Sequence, residues 1–220
     1  MPRAQGPTEG ASLKCEDGCG CLFERRDAFV LSIDGEAHFF CCADCADAYQ
    51  GTLKTPTLDI LRKHIRPGET VADLGCGSGH YTFLLSDLVG PQGTVIAVDP
   101  DPALVRQLEE GLKKKPSASN IRVHVSPAER LRDIRTGSVD FVLSNNVLCC
   151  TDLRKEAVDE LVRILRPGGT AYLRASKILT KGSQPISEPE WNSLLHPFVI
   201  LDRGTDASAR WALLRRRERP

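Results

Sequence analysis

The chain has 220 residues, 41% of them hydrophobic, and its 29 basic and 29 acidic side chains give a formal net charge of zero. This length allows one full hydrophobic core with a small second unit. No apolar run approaches the length of a bilayer span, which argues against a membrane protein, and the balanced charge argues against a strongly basic nucleic-acid-binding protein. Because residues 1–14 contain no apolar segment of the secretory type, we expect a cytoplasmic protein in a reducing compartment.

The N-terminal part of the chain is rich in cysteine. Residues 1–13 are polar, contain proline and glycine, and are predicted to be disordered. Residues 14–52 follow as a cysteine-rich unit, since six of the nine cysteines lie between Cys15 and Cys45. In a reducing compartment this clustering favours metal binding over disulfides. Between the two cysteine groups, residues 29–40 predict a β-hairpin with its turn at Asp34-Gly35.

The spacing of these cysteines indicates a structural zinc site. Tetrahedral zinc commonly takes two thiolates from a tight knuckle and two from the start of a helix, and a closed site of this kind stabilises rather than catalyses. The predicted ligands are Cys15, Cys19, Cys41 and Cys45, with Cys21 or Cys42 as substitutes. The arrangement resembles TRASH and ribosomal L24-type zinc knuckles of treble-clef-like form, although three residues rather than two separate the first pair. A redox or sensing cluster and a metal-free cluster are the competing interpretations.

Beyond a short linker, residues 57–220 alternate strands and helices. Helices are predicted over residues 58–65, 80–89, 102–115, 153–169 and 188–195, and a Pro-Gly-Gly sequence is expected to stop the fourth. Strands are predicted over residues 70–74, 94–98, 121–125, 139–144, 170–175, 198–203 and 209–217. The last two strands are expected to be antiparallel. Strands joined by crossover helices predict a mainly parallel α/β sheet with helices on both faces.

A glycine-rich loop, Gly75-Cys76-Gly77-Ser78-Gly79, follows the strand over residues 70–74. Glycines at this point allow a close approach to a ligand at the carboxyl edge of the sheet, although an ordinary glycine-rich turn is the simpler alternative. His80 occupies the place of the last glycine of a dinucleotide fingerprint. Asp73, just before the loop, would repel a pyrophosphate, and Asp99 is placed to accept hydrogen bonds from ribose hydroxyls. We therefore expect a ribose-bearing ligand with a positive end.

Four stretches, "VADLGCGSGHYT", "VIAVDPDPALV", "VDFVLSNNVL" and "ILRPGGTAYL", resemble the motifs of class I S-adenosylmethionine-dependent methyltransferases over residues 57–216. The resemblance implies a Rossmann-like, doubly wound, seven-stranded sheet. It also implies that the cofactor contacts Asp73, Gly75, Cys76, Gly77, Gly79, Asp99, Pro100, Ala128, Glu129 and Asn145. Pro127 departs from the acidic residue that many members place before the alanine to hold the adenine amine, so that contact falls on Ala128 or Glu129.

The candidate catalytic residues are His80, Asn145, Asn146, Cys149 and Cys150. The segment "SNNVLCC" lacks the Asn-Pro-Pro-aromatic motif of exocyclic amine methylases and the Pro-Cys pair of cytosine C5 methylases. His80 is a candidate base or only the first residue of a helix, and Cys76 is predicted to serve packing. The vicinal thiols could hold trivalent arsenic, or they could be small buried hydrophobic residues.

The sequence thus predicts a methyltransferase that uses S-adenosylmethionine, contains zinc, and acts on a small molecule or a protein side chain. Three alternatives stay open: a metalloid methyltransferase that uses Cys149 and Cys150, an rRNA guanine methyltransferase, and a non-catalytic metal-responsive binding protein. The acidic balance of the cysteine-rich unit disfavours nucleic acid as a partner. The sequence predicts no membrane partner and leaves the oligomeric state open.

Overall fold

The computed structural model describes residues 12–14, 22–24, 26, 28–33, 36–40, 57–115, 118–177, 183–205 and 209–218. The chain divides into two compact units, Met1–His64 and Ile65–Pro220. Among the described residues, no helix combines the length and the apolarity needed to cross a membrane.

The described residues of the first unit form two small antiparallel sheets and one helix. Strand β1 (Ser12–Lys14) pairs with β2 (Leu22–Glu24), and β3 (Phe29–Ile33) pairs with β4 (Glu36–Phe40). Residue Ile33 faces Glu36 across the second ladder, which confirms the predicted hairpin over residues 29–40.

Two boundaries of the first unit differ from expectation. Strand β1 begins at Ser12, inside the segment predicted to be disordered, because its backbone pairs with β2. Helix α1 (Thr57–His64) groups with the first unit, whereas the sequence analysis assigns it to the methyltransferase domain. The six cysteines of the predicted zinc site lie outside the described residues, and their assignment stays a prediction.

The second unit is built on a seven-stranded sheet. Its strands are β5 (Thr70–Leu74), β6 (Thr94–Asp99), β7 (Ile121–Val125), β8 (Val139–Asn145), β9 (Leu165–Ser176), β10 (Phe198–Thr205) and β11 (Ala209–Arg216). They lie in the order β7-β6-β5-β8-β9-β11-β10, and β11 runs antiparallel to the other six strands. The mainly parallel, seven-stranded Rossmann-like fold is therefore confirmed.

Four helices join these strands. They are α2 (His80–Val89), α3 (Pro102–Lys114), α4 (Arg154–Ile164) and α5 (Glu188–Leu195). Two of them begin with side-chain caps: Asp101 accepts a hydrogen bond from the backbone N–H of Ala103, and Ser187 accepts one from that of Glu190.

The predicted length of α4 is wrong at its C-terminal end. Leu165 has φ −60° and ψ 138°, an extended conformation, and it pairs with Val139 of β8. Pairing between strands therefore ends the helix at Ile164, before the Pro-Gly-Gly sequence that the prediction used as the stop.

The main core lies between the central strands and helices α4 and α5. Leu74, Val142, Leu161, Leu173 and Trp191 belong to one buried cluster. Strands β5 and β8 are neighbours at the point where the strand order reverses, and an open α/β sheet leaves a crevice outside the carboxyl ends of its strands at such a point. The packed core therefore supports the carboxyl edge of the sheet, which is where a ligand site is expected.

We predict that Leu161→Ala lowers the free energy of unfolding by about 2–5 kcal/mol, because its side chain is 1% exposed in the core and truncation leaves a cavity. Urea denaturation followed by circular dichroism measures this change. Leu153→Ala, at the start of the same helix and 47% exposed, is the control and should change stability by less than about 0.5 kcal/mol. Equal losses in the two variants would contradict the assigned core.

Candidate active site

A cavity of about 400 Å³ opens at the carboxyl edge of the sheet. This volume lies in the range of small-molecule sites, roughly 300–1,000 Å³. Its lining residues come from the segments that follow four parallel strands. They are Leu74, Gly75, Val98, Asp99, Pro100, Ser126, Pro127, Ala128, Glu129, Asn145, Asn146, Val147, Cys150 and Thr151.

The glycine loop adopts a backbone that other residues rarely adopt. Gly75, Gly77 and Gly79 have φ values of 73°, 53° and 103°. A Cβ atom at Gly75 would lie 2.5 Å from Val147 Cγ2, and one at Gly79 would lie 2.6 Å from Leu108 Cδ1. The loop therefore needs glycine both for its conformation and for the close approach of the segment after β8. Gly75 lines the cavity, whereas Gly77 and Gly79 do not.

Asp99, at the end of β6, is the buried anion of the cavity wall. Its side chain is 7% exposed, and its two carboxylate oxygens accept hydrogen bonds from the backbone N–H groups of Gly77 and Asp101, both at 2.9 Å. A carboxylate has about four lone-pair sites, so both oxygens retain the capacity to accept a further bond from a ligand. Asp99 thus combines a fixed position with acceptor capacity at the cavity.

Asp73 lies in the interior and does not line the cavity. It is 2% exposed and accepts a 2.7 Å hydrogen bond from the Thr82 hydroxyl. Burial raises the pKa of Asp73 to about 6, although the bond from Thr82 and the charge of His80 oppose the rise. The structure therefore gives Asp73 a contact with helix α2, and the cofactor contact that the resemblance implies for Asp73 stays a prediction.

Two further predicted residues also lie away from the cavity lining. The Cys76 side chain belongs to a small buried cluster with Ala97 and Leu108, as expected for a packing residue, and burial raises the pKa of its thiol. His80 begins α2 and makes an edge-to-face ring contact with Tyr81 at 4.7 Å.

The opposite wall of the cavity comes from the end of β8. Asn146 has φ 61°, a left-handed conformation that asparagine tolerates better than most residues. Its side-chain oxygen accepts a 3.1 Å hydrogen bond from Arg174 Nη1, and its backbone N–H donates to the Arg174 carbonyl at 2.8 Å. The same guanidinium lies 3.5 Å from Asn145 Oδ1. Sequence reasoning missed Arg174, because only the register that pairs Asn145 with Arg174 brings the two together.

Cys149 and Cys150 form a vicinal thiol pair beyond this wall. Their sulfur atoms are 3.8 Å apart, and Cys149 Sγ is 3.1 Å from the Asn146 carbonyl oxygen. Cys149 is 2% exposed, whereas Cys150 is exposed and lines the cavity. The pKa of Cys149 is lowered to about 6, chiefly by its hydrogen bond with Cys150 and also by the charge of Arg154.

Arg154 fixes the segment that carries these thiols, and the sequence analysis did not identify it. Its guanidinium donates to the Leu148 carbonyl at 2.8 Å, to Glu190 Oε1 at 2.7 Å and to the Gln184 carbonyl at 3.3 Å. The Arg154 side chain is 11% exposed. These contacts join the loop after β8, which carries the thiols, to helix α5 and to the segment that precedes it.

The remaining wall follows β7 and includes Pro127, Ala128 and Glu129. The Ser126 backbone N–H donates to the Asp99 carbonyl at 3.1 Å, which ties this wall to the end of β6. The predicted adenine contacts, Ala128 and Glu129, therefore share one cavity with the predicted ribose ligand Asp99.

Comparison with known proteins shows what the chain is similar to. Residues 72–173 match the family described as "Methyltransferase domain". The chain is 38% identical over 103 residues to an arsenite methyltransferase of Halobacterium salinarum, an alignment that covers 47% of this chain and 26% of that protein. It is 29% identical over 128 residues to a human thiol S-methyltransferase, with 56% and 50% covered. A ubiquinone/menaquinone biosynthesis C-methyltransferase of Legionella pneumophila is 36% identical over 133 residues, with 58% and 51% covered.

The chain therefore spans about half or less of the length of these curated relatives. A solved structure of an S-adenosylmethionine-dependent methyltransferase from Aquifex aeolicus superposes with a TM-score of 0.64 at 21% identity, covering 76% of this chain and 92% of that one. This structural likeness confirms the fold.

The pKa of Asp73 predicts a specific pH dependence of stability. The folded protein binds this proton with a pKa of about 6, above the ordinary value of 3.8, so its free energy of unfolding should fall as pH rises from about 4 to 6. The contribution of Asp73 to this fall is about 3 kcal/mol. In Asp73→Asn, whose amide oxygen can still accept from Thr82, that contribution should be absent.

Chemical denaturation of both proteins at several pH values between 4 and 7 measures the difference between the two profiles. Asp133→Asn removes an exposed carboxylate and should retain the wild-type fall, because Asp73 is still present. Parallel profiles for the wild type and Asp73→Asn would refute the buried, proton-binding role.

Proposed function

We propose that this chain, which matches a methyltransferase domain over residues 72–173, transfers a methyl group from S-adenosylmethionine to a small molecule or a protein side chain. The observation that carries the proposal is the charge of the cavity. Among the residues that the structure describes there, two are carboxylates, Asp99 and Glu129, and none is lysine or arginine. Such a wall suits a cationic nucleoside and repels a diphosphate.

The residues present fit the proposed cofactor. Asp99 would accept hydrogen bonds from the ribose hydroxyls, and Gly75 would allow the cofactor to approach the backbone closely. Ala128 and Glu129 would face the adenine, and Asn145 would contact the methionine end. When bound, the cofactor supplies a methyl group on a sulfonium that is already a good leaving group.

The protein's own contribution to the transfer would then be mainly the alignment of the acceptor. Asn145 and Asn146 line the cavity, and Arg174 fixes the amide of Asn146, so its orientation does not depend on the ligand. Because His80 is outside the cavity lining, we favour these two asparagines over His80 as the residues that position the acceptor.

The names of several relatives favour a small-molecule acceptor, since they include an arsenite, a thiol and a carbon methyltransferase. Another relative is a ribosomal protein L11 methyltransferase, which keeps a protein side chain among the proposed acceptors. We therefore favour a small molecule over rRNA guanine, and an active enzyme over a binding protein without activity. We further place the protein in a reducing cytoplasm, which would keep its cysteines available as thiols.

The proposed cofactor site predicts that Asp99→Ala weakens binding of S-adenosylmethionine about tenfold to a hundredfold or more, because hydrogen bonds to a charged acceptor contribute about 1.5–3 kcal/mol each. Isothermal titration calorimetry measures the affinity. Asp101→Ala, which removes only the cap of helix α3, is the matched control and should bind as the wild type does.

Equal affinity in wild type and Asp99→Ala, or preferential binding of NAD by the wild type, would overturn this assignment. Transfer of a labelled methyl group to pools of metabolites, arsenite, proteins and RNA then identifies the acceptor class. Labelling of RNA alone would replace the small-molecule proposal with the rRNA alternative.

We also propose that the cysteine-rich unit binds one structural zinc through Cys15, Cys19, Cys41 and Cys45, with Cys21 or Cys42 as substitutes. The support is the spacing of the cysteines together with the hairpin β3–β4, which occupies the interval between the two groups. A unit of this size with few large apolar residues commonly depends on a metal for stability.

This zinc proposal predicts one zinc per chain in the purified protein, measured by inductively coupled plasma mass spectrometry. The double variant Cys41→Ser, Cys45→Ser should lose the metal, because two thiolates alone hold zinc weakly. The double variant Cys149→Ser, Cys150→Ser, which changes cysteines of the second unit, should retain it. Full zinc content in the first variant would refute the ligand assignment.

A further inference from the structure

The vicinal thiols lie at the end of the cavity that we assign to the acceptor, and Cys150 is the one that belongs to the cavity lining. Cys150 lines the same cavity as Gly75 and Asn145, and Thr151 follows it in the lining. The segment is held in place, because Cys149 Sγ contacts the Asn146 carbonyl and the Gln184 backbone N–H donates to the Cys149 carbonyl at 2.7 Å. A ligand bound by both sulfurs would therefore be presented to the cavity rather than to bulk solvent alone.

The distance between the two sulfurs selects among thiophilic ions. With bonds of about 2.3 Å, as for zinc thiolates, a linear S–ion–S arrangement needs sulfurs about 4.6 Å apart. The observed separation of 3.8 Å is shorter and corresponds to a bent angle at the shared atom. A pyramidal or tetrahedral centre fits this geometry without movement of the loop, whereas a linear two-coordinate cation does not.

The surrounding residues then distinguish the pyramidal from the tetrahedral centre. A closed tetrahedral zinc site requires four protein ligands. Within the described parts of the chain, no group of three or more histidine, cysteine, aspartate or glutamate side chains is placed to hold a metal ion. A trivalent metalloid needs only three bonds, two to thiolates and one to a hydroxide from solvent, and the exposure of Cys150 leaves room for the third.

From this geometry we infer that Cys149 and Cys150 form a dithiol site for a trivalent metalloid of the arsenite class at the acceptor end of the cavity. The inference names the acceptor of the proposed methyltransferase and so rests on that function. Binding replaces two As–O bonds with two As–S bonds; the Cys150 thiol gives its proton to one departing hydroxide, the other hydroxide takes a proton from Cys149 or, where Cys149 is already a thiolate, from solvent, and two water molecules leave. No electrons are exchanged, so the arsenic stays trivalent and keeps the lone pair that a methyl acceptor requires.

The electrostatics of the site favour this reaction. The lowered pKa of Cys149 makes its thiolate available near neutral pH, and the Arg154 guanidinium compensates the charge. By contrast, Cys76 is buried in an apolar cluster and its pKa is raised, so the only other cysteine among the described residues is unsuited to the same role.

The test measures the rate at which iodoacetamide alkylates Cys150 in the zinc-loaded, full-length protein, with and without sodium arsenite. Mass spectrometry of the peptide that contains Cys150 separates it from the N-terminal cysteines. We expect arsenite to slow alkylation of Cys150 at least tenfold in the wild type, and to have little effect in Cys149→Ser or Cys149→Ala, where the second thiolate is missing. Cys76→Ala is the matched cysteine control and should show the wild-type protection.

Unchanged alkylation of wild-type Cys150 in arsenite would overturn the inference, and so would equal protection in the Cys149 variants, which would indicate binding to one thiol. Calorimetry with S-adenosylmethionine on the same samples distinguishes failure of the dithiol site from failure of the proposed methyltransferase function. Cofactor binding without protection refutes the dithiol site alone. Protection without cofactor binding refutes the proposed methyltransferase and leaves a metalloid-binding site.

Discussion

The position of one buried carboxylate determines the shape of the candidate active site. Asp99 accepts backbone hydrogen bonds from Gly77 and Asp101, so the loop after β5 and the turn after β6 share a single anchor. Because Asp99 is 7% exposed, loss of the carboxylate would leave two partly buried hydrogen bonds unmade, at a cost of at most about 1–3 kcal/mol each. The same group presents negative charge to the cavity. The local fold and the proposed preference for a cationic ligand therefore depend on the same carboxylate.

The strand order adds the second constraint, which couples the two ends of the cavity. Since β5 and β8 are neighbours, the loops that follow them leave the sheet side by side. Gly75 in the first loop meets Val147 in the second so closely that a Cβ atom would overlap the valine side chain. The glycine thus serves two purposes: it turns the backbone at positive φ, and it lets the loop after β5 and the loop after β8 approach each other.

Sequence reasoning succeeded where the signal is local. The bounds of helix His80–Val89 and strand Ile121–Val125 follow from the periodicity of neighbouring residues, and the glycine loop follows from its composition. It failed where distant segments decide the outcome. Leu165 fits the apolar face of a helix, yet its pairing with Val139 places its backbone in the extended conformation of a strand. Asp73 stands in a recognisable motif, but its burial against Thr82 depends on how α2 packs, and no local pattern predicts that.

The same distinction separates the proposed cofactor end of the cavity from the proposed acceptor end. Each residue assigned to the cofactor wall (Gly75, Asp99, Ala128 and Glu129) lies in a short segment at the end of one strand, which is why local motifs can reveal it. The acceptor wall depends instead on Arg174, which fixes Asn146 from a neighbouring strand, and on Arg154, which joins the thiol segment to helix α5. Substitutions around these arginines can reshape the acceptor wall while Asp99 and the glycines stay unchanged. A fold of this kind can therefore keep one methyl donor and serve chemically different acceptors, and the acceptor has to be inferred from the geometry of the second wall.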